Sequence, residues 1–170
     1  NTKTAQKELN EMLKAKYPSA DKLVTWVSNY QVFFDTQKID SLGLDYAAIK
    51  QDAVNLLKKN KMVQYACDME KASIESIPEE IKYRIINGYN RERSGGVQVI
   101  LKPAHYSNGM KGTTHGAWNG YDTHIPLAFM GWGIQHVANT KPVYMTDIAP
   151  TVCALLHIQA PNGCIGEPIF

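Results

Sequence analysis

The sequence lacks a strong net charge of either sign and any long apolar run. Its 18 basic and 16 acidic side chains leave a formal charge of +2, which is too balanced to predict binding to nucleic acid or to an anionic membrane. The longest apolar stretch, 125–134, contains Pro126 and glycine, and it is far shorter than the roughly 20 residues that a membrane-spanning helix requires. With 44% hydrophobic and 20% charged residues, the chain has the composition of a globular domain.

Cysteine is scarce, and the short motifs of several enzyme classes are missing. The three cysteines, Cys67, Cys153 and Cys164, form no CxxC pair and cannot all be bridged. A Cys153–Cys164 disulfide is compatible with their separation, but buried free thiols are the favoured interpretation. The sequence contains no GxSxG elbow, HExxH pair, P-loop or GxGxxG loop, so no self-sufficient catalytic site is predicted.

The first residues predict that the chain is a piece of a longer protein. Residues 1–7 include neither an initiator methionine nor a signal peptide, and they lead directly into helix-like sequence. The length of 170 residues suffices for one ordinary domain, or for a small domain with part of a second.

Hydrophobic periodicity predicts alternating helices and strands over the first part of the chain. Leu9, Met12 and Leu13 recur at helical spacing, whereas two β-branched and aromatic runs around a short polar break indicate a hairpin. Asp45 stands where a helix N-cap is expected, and Pro78 falls in the first turn of another helix. The predicted elements are, in order, a helix over 4–16, strands over 23–27 and 31–35, a helix starting at Asp45, a strand over 62–69, a helix from Ser76 to Gly88 and a strand over 97–101.

This order of elements predicts an α+β fold. A hairpin followed by helix, strand, helix and strand is typical of a two-layer unit, similar to a ferredoxin-like sandwich. The predicted divisions are an N-terminal helix over 1–19 that continues from a missing region, the two-layer unit over 20–103, and a tail over 104–170 of different composition. Within the tail, a buried strand over 125–130 and a helix over 147–157 are predicted.

The tail also carries the candidate metal ligands. All of the histidines lie there, namely His105, His115, His124, His136 and His157. The tight cluster of His115, Asp122 and His124 could supply three ligands to one metal, because imidazole and carboxylate groups are common zinc ligands. The alternative is a polar loop in which these histidines have only structural roles.

Two other charged groups have ordinary explanations. Asp68, Glu70 and Glu75 are predicted to form a solvated acidic surface rather than a paired general acid and base. A charged turn is predicted for Arg91, Arg93 and Lys102, which have a Ser-Gly-Gly sequence between them, with an anion site as the alternative.

Several segments together resemble a known family. Residues 112–116 (GTTHG), 121–127 (YDTHIPL) and 131–134 (GWGI) strongly resemble the last metal-site segment of alkaline phosphatase superfamily enzymes. The closest group is that of the bacterial PafA-like phosphatases, which are related to type I phosphodiesterases and nucleotide pyrophosphatases. Residues 146–151 (TDIAPT) resemble the C-terminal helix that these enzymes share with sulfatases. The resemblance implies that 104–170 is the C-terminal part of an alkaline-phosphatase-like α/β domain.

The resemblance also implies which residues bind metal. His115 matches a zinc ligand of the family, whose partners are an aspartate and a histidine in a DxxxH arrangement. The second zinc of the family uses an Asp-His pair, another aspartate and a nucleophilic threonine or serine, and these groups would precede Asn1. No catalytic residue is therefore expected in this chain. Asp122 is a candidate acceptor for the second ring nitrogen of His115, with a turn or cap bond as the equal alternative, and His124 is expected to be structural.

The implied function is that of a C-terminal fragment of a zinc-dependent phosphatase or phosphodiesterase. The whole enzyme would hold two zinc ions, act on phosphate esters and be periplasmic or secreted, whereas the fragment would be inactive and bind zinc weakly at most. The alternative is a stand-alone, non-catalytic binding module or pseudoenzyme. Nucleic-acid binding is not expected, since the strand over 97–101 has no aromatic residue for stacking.

Overall fold

Residues 2–106 and 115–169 are described by the computed structural model, and they form two units, Asn1–Ile125 and Pro126–Phe170. The helices of the first unit are α1 (Thr2–Lys16), α2 (Thr36–Ser41), α3 (Tyr46–Leu57), α4 (Glu79–Gly88) and α5 (Gly120–Thr123). Its strands are β1 (Val24–Ser28), β2 (Gln31–Phe34), β3 (Val63–Asp68) and β4 (Val97–Leu101), and a 3₁₀ segment covers Met69–Ile74. The second unit contains a 3₁₀ turn, Met145–Asp147, and helix α6, Ile148–Leu156.

The four strands form one antiparallel sheet in the order β1-β2-β4-β3. Because every neighbouring pair is antiparallel, β2 and β3 run in the same direction with β4 between them. This split β-α-β arrangement is half of a ferredoxin-like sandwich. The fourth position in the sheet is filled by the first strand of the hairpin, whereas a ferredoxin-like fold fills it with the last strand of the chain.

The predicted α+β class is confirmed. One face of the sheet packs on α1 and α3 in a cluster that includes Leu9, Ile49 and Val97. The opposite face of β3 and β4 packs on the 3₁₀ segment and α4 in a second cluster that includes Cys67 and Ile85. The sheet is therefore covered by helices on both faces over β3 and β4. The helices on the second face form a third layer, which the predicted two-layer unit did not include. This third layer explains why β4 is buried over most of its length.

Local sequence signals account for the hairpin and for α3. Asn29 and Tyr30 have φ angles of 49° and 59°, which is the two-residue turn with positive φ that suits a twisted hairpin. Asp45 accepts hydrogen bonds from the backbone nitrogens of Ala47 and Ala48, so it caps α3 as predicted.

The outer edge of β1 is covered by side chains of α1. Asn10 accepts a hydrogen bond from Val24 N at 2.8 Å and donates one to Val24 O at 2.9 Å, as a neighbouring strand would. Gln6 Nε2 donates to Val24 O and to Thr25 O. Exposed strand edges promote pairing with other chains, so these amides also protect the edge.

Replacing Asn10 with alanine is expected to lower the free energy of unfolding by about 1–2 kcal/mol. The backbone N–H of Val24 is buried and would lose its acceptor, whereas Val24 O keeps Gln6. Asn55→Ala, on the exposed side of α3, is the matched control and should stay within about 0.5 kcal/mol in urea unfolding. Equal losses for the two variants would contradict the role assigned to Asn10.

All three cysteines are free, in agreement with the favoured interpretation. Cys67 and Cys153 are buried, and Cys164 is half-buried. Burial raises the pKa of the Cys67 thiol to about 12, so this sulfur stays protonated at neutral pH and is chemically inert.

In the second unit, Asp147 and Thr151 hold the last residues of the chain against the start of α6. Asp147 Oδ2 accepts from Tyr144 N at 2.8 Å, and its Oδ1 accepts from Glu167 N at 3.1 Å. Thr151 Oγ1 accepts from Ile169 N at 3.1 Å. The TDIAPT sequence therefore fixes the end of the chain to α6, and Pro150 lies in the first turn of that helix, where no backbone donor is needed.

The predicted buried strand over 125–130 is wrong. These residues have no regular structure, and Ile125 and Met130 are 60% and 99% exposed. A strand needs a neighbour for its backbone N–H and C=O groups, and within the described ranges no segment pairs with this one. Trp132, Val137, Leu156 and other large apolar side chains of the second unit are exposed as well. None of the helices in the described ranges has both the length and the apolar character to span a membrane.

Candidate functional site

The residues that follow β4 form the candidate site within the first unit. A cavity of about 340 Å³ is lined by two segments of the chain: Ala104, His105 and Tyr106 come directly after β4, and His115, Ala117, Tyr121 and Asp122 belong to the following loop and α5. Residues 107–114 lie outside the described residues, so the Gly-Thr-Thr part of the GTTHG sequence is not placed. The end of a buried strand is a common position for a site, because the sheet holds the adjoining loop rigidly.

Asp122 fixes the conformation of the loop that carries His115. Its Oδ2 accepts a hydrogen bond from Ala117 N at 2.6 Å, while helix α5 begins after Asn119, whose carbonyl accepts from the backbone nitrogens of Asp122 and Thr123. This is the turn or cap bond that the sequence offered as one of two alternatives for Asp122. The carboxylate therefore holds the backbone two residues beyond His115.

Two aromatic residues attach the loop to the rest of the first unit. Tyr121 Oη accepts a hydrogen bond from Ala104 N at 2.9 Å and another from Asn119 Nδ2 at 3.2 Å. Trp118 is half-buried and packs on the second hydrophobic cluster. These contacts explain why the loop belongs to the first unit, which extends to Ile125.

The three predicted metal-site residues are only partly brought together. His115 and Asp122 line the same cavity, whereas His124 is exposed, caps the end of α5 through its backbone and is absent from the cavity walls among the described residues. His105, which no motif singles out as a candidate ligand, also lines the cavity, and its Nδ1 lies 2.9 Å from Pro103 O. The signal that could have found it was its position just after the buried strand β4.

The residues present do not fit a complete zinc centre. A zinc site needs three or four nitrogen, sulfur or oxygen ligands, and the described ranges contain no group of three or more histidine, cysteine, aspartate or glutamate side chains able to hold a metal. His115 can contribute a single imidazole. Any metal bound through it must take its remaining ligands from elsewhere.

A buried charge cluster lies between α3 and the 3₁₀ segment, away from the cavity. Lys50 Nζ lies 2.9 Å from Asp68 Oδ1, with both side chains at most 5% exposed, and it also pairs with Glu70. The ammonium group sits 4.6 Å from the centroid of the Tyr46 ring. Asp68 is thus buried and paired, which corrects the prediction that Asp68, Glu70 and Glu75 form a solvated surface.

The cluster shifts the ionisation of its members. The hydrogen bond from Lys50 lowers the pKa of the Glu70 carboxyl, and the hydroxyl of Tyr89 contributes. Burial raises the pKa of Tyr46, and the Glu70 and Asp68 carboxylates add to this shift. Gly96 lies so close that a Cβ there would collide with the Tyr46 hydroxyl. Glycine at position 96 therefore permits the close packing around Tyr46 and Lys50.

The chain is similar to several characterised proteins, although no family model matches it. It is 46% identical over 165 aligned positions to alkaline phosphatase PafA of Elizabethkingia meningoseptica, which covers 96% of this chain and 30% of that protein. It is 50% identical over 143 positions to alkaline phosphatase PhoV of Synechococcus elongatus, covering 84% of the chain and 26% of that protein. A protein named calcium-transporting ATPase, from Myroides odoratus, is 45% identical over 171 positions, covering 99% of the chain and 31% of that protein.

The same similarity holds among solved structures. The crystal structure of wild-type alkaline phosphatase PafA matches with a TM-score of 0.92 at 46% identity, covering 98% of this chain and 32% of that one. A substituted form of PafA matches with a TM-score of 0.90 over 96% of this chain. The chain thus spans about a third or less of the length of each of these relatives.

Proposed function

We infer that this chain, which belongs to the PafA-like branch of the alkaline phosphatase superfamily, is one segment of an enzyme that hydrolyses phosphate esters. The observation that carries the proposal is the agreement of sequence and fold over nearly the whole chain, 46% identity with a TM-score of 0.92. The large apolar side chains exposed on the second unit support it, since such surfaces mark contacts with further protein.

In the proposed enzyme, His115 supplies one ligand to a zinc ion, and the other ligands come from outside this chain. Zinc bound at such a centre would supply Lewis acidity for the cleavage of a phosphate ester. The residues of this chain hold His115 in place. Asp122 fixes the backbone at Ala117, and Tyr121 ties the loop to Ala104. The threonine or serine nucleophile also belongs to the part of the enzyme outside this chain.

Phosphate monoesters and diesters are both within the proposed substrate class, and the proposed location is periplasmic or secreted. Nucleic acid is not a proposed partner, because the net charge of +2 gives no basis for binding to a phosphate backbone.

The isolated chain is expected to show no enzyme-like turnover of aryl phosphates or phosphodiesters, with or without excess zinc. It lacks a predicted nucleophile, and its described residues hold no three-ligand metal group, so neither covalent catalysis nor metal-assisted charge stabilisation is available. The purified 170-residue chain is assayed with 4-nitrophenyl phosphate and bis(4-nitrophenyl) phosphate. Turnover that disappears on chelation would show that the division of the active site between two segments is wrong.

A non-catalytic binding module is the second candidate. The absence of a three-ligand group among the described residues favours it over a complete enzyme. The two candidates differ when the chain is inserted into a related phosphatase, where only a true enzyme segment supports turnover.

A further inference from the structure

The cavity after β4 has unusual walls for the neighbourhood of a phosphate-binding centre. Among the described residues seven side chains line it, of which four are rings, those of His105, Tyr106, His115 and Tyr121, and two are the methyl groups of alanines. The only charged group among the described lining residues is the carboxylate of Asp122, and no lysine or arginine is among them. The described part of the lining therefore offers mainly ring and methyl surface to a ligand.

The exposed rings indicate what the cavity accommodates. Tyr121 and Tyr106 are 67% and 47% exposed, so each of the two segments that line the cavity leaves a large ring open to solvent. Its volume of about 340 Å³ is at the lower end of the range of small-molecule sites. Aromatic rings stack on planar ligands without requiring a particular hydrogen-bond pattern.

The two segments that line the cavity are fixed relative to each other. Tyr121 Oη receives the Ala104 N–H at 2.9 Å and thereby joins the loop after His115 to the segment after β4. In the segment after β4, the orientation of the His105 ring is fixed, because its Nδ1 lies within hydrogen-bond distance of Pro103 O. Preformed walls of this kind lower the entropy that the protein loses when a ligand binds.

We propose that this cavity binds the planar aromatic substituent of a phosphate ester, with Tyr106 as a stacking face. The proposal rests on the proposed function, since it places the uncharged part of the substrate next to His115 and leaves the phosphate to the metal centre. A nucleobase and a simple aryl group share this chemistry.

The test measures binding to the full 170-residue chain by NMR, without any turnover. The probes are AMP, phenyl phosphate and ribose 5-phosphate, which all carry one phosphate monoester but differ in the aromatic group. AMP or phenyl phosphate should shift the ring signals of Tyr106 and His105 and bind at least tenfold more tightly than ribose 5-phosphate. Whichever of the two binds more tightly identifies a nucleobase or an aryl group as the source.

Substitutions then separate stacking from other effects. Tyr106→Leu should weaken the aromatic probes about tenfold and leave ribose 5-phosphate unchanged, whereas Tyr106→Phe should retain binding because the ring remains. Tyr83→Leu is the control, since Tyr83 is 61% exposed on α4 and does not line the cavity.

The proposal is overturned if neither aromatic probe shifts these signals, if ribose 5-phosphate binds as tightly as they do, or if Tyr106→Leu and Tyr83→Leu behave alike. Such a result would leave the proposed enzyme intact, because binding is measured without metal or catalysis. Conversely, the chain could bind the aromatic probes and yet never support turnover when it is inserted into a related phosphatase. That result would retain the binding proposal for the cavity and reject the proposed enzyme function.

Discussion

Lys50→Met is expected to lower the free energy of unfolding by roughly 3–5 kcal/mol, because it leaves the buried Asp68 carboxylate without its cation. The side chains of Lys50 and Asp68 are 2% and 5% exposed, so water cannot replace the lost partner. The remaining hydrogen bond from Glu70 N to Asp68, at 3.0 Å, does not neutralise the charge. Urea unfolding of the isolated chain measures the loss.

Two further variants isolate the buried charge as the cause. Lys7→Met removes an exposed ion pair on α1, at 3.7 Å from Glu11, and should cost less than about 1 kcal/mol. The double variant Lys50→Met with Asp68→Asn should recover much of the stability, since the amide oxygen can still accept from Glu70 N without a charge. A Lys50→Met loss no larger than that of Lys7→Met would show that the cluster is not a stabilising centre of the fold.

The pH dependence of stability follows from the lowered pKa of Glu70. A carboxyl with a lower pKa in the folded state favours folding above its unfolded pKa, and this contribution disappears as the pH falls through the folded value. Acidification below the ordinary range of glutamate should therefore destabilise the chain. Lys50→Met should show a weaker acid dependence, because the hydrogen bond that lowers the Glu70 pKa is gone.

His115→Ala is expected to abolish zinc binding at one site and to reduce turnover by orders of magnitude in a working enzyme. The suitable protein is a chimera in which this chain replaces the matching segment of Elizabethkingia PafA, since sequence and fold agree over that segment. Loss of a metal ligand should exceed the roughly 10–100-fold effect that is typical of residues that only orient a ligand. Zinc content by mass spectrometry and the rate with 4-nitrophenyl phosphate are measured together.

His124→Ala is the matched control in the same chimera. The side chain of His124 is exposed and its backbone hydrogen bond to Gly120 O does not depend on the imidazole. Zinc content should stay unchanged, and stability should change by about 0.5 kcal/mol or less. If His115→Ala kept its zinc while His124→Ala lost it, the ligand would be His124.

The sequence predicted most of the first unit because its elements carry local signals. α1, the hairpin, α3 and α4 each have an apolar stripe or alternating run with a cap or turn residue at the end. The missed helix α2 is six residues long and buries only Ile39, which is too little for a periodic pattern even though Asp35 caps it. The 3₁₀ segment was also missed, because its six residues are too few for a periodic pattern.

The remaining errors concern contacts between distant residues. Lys50 and Asp68 are 18 positions apart, and only the packing of α3 on β3 brings them together in the interior. The layer of α4 on the second face of the sheet depends on where the chain turns after β3, which no local pattern fixes. The apolar run over 125–130 predicts a buried strand, but burial of a strand also needs a neighbouring segment.

The candidate site was predictable in part. The GTTHG and YDTHIPL sequences singled out His115 and Asp122, which the structure places on one cavity, whereas His105 joins them only because the segment after β4 faces the loop. The assignment of His115 as a metal ligand stays a prediction.

The phosphatase rate of the chimera tests the central claim most directly. The account predicts that PafA carrying this chain in place of its own segment hydrolyses 4-nitrophenyl phosphate, retains two zinc ions, and loses both properties when His115 is replaced by alanine. A folded chimera without turnover, or one whose zinc content and turnover are unaffected by His115→Ala, would contradict it.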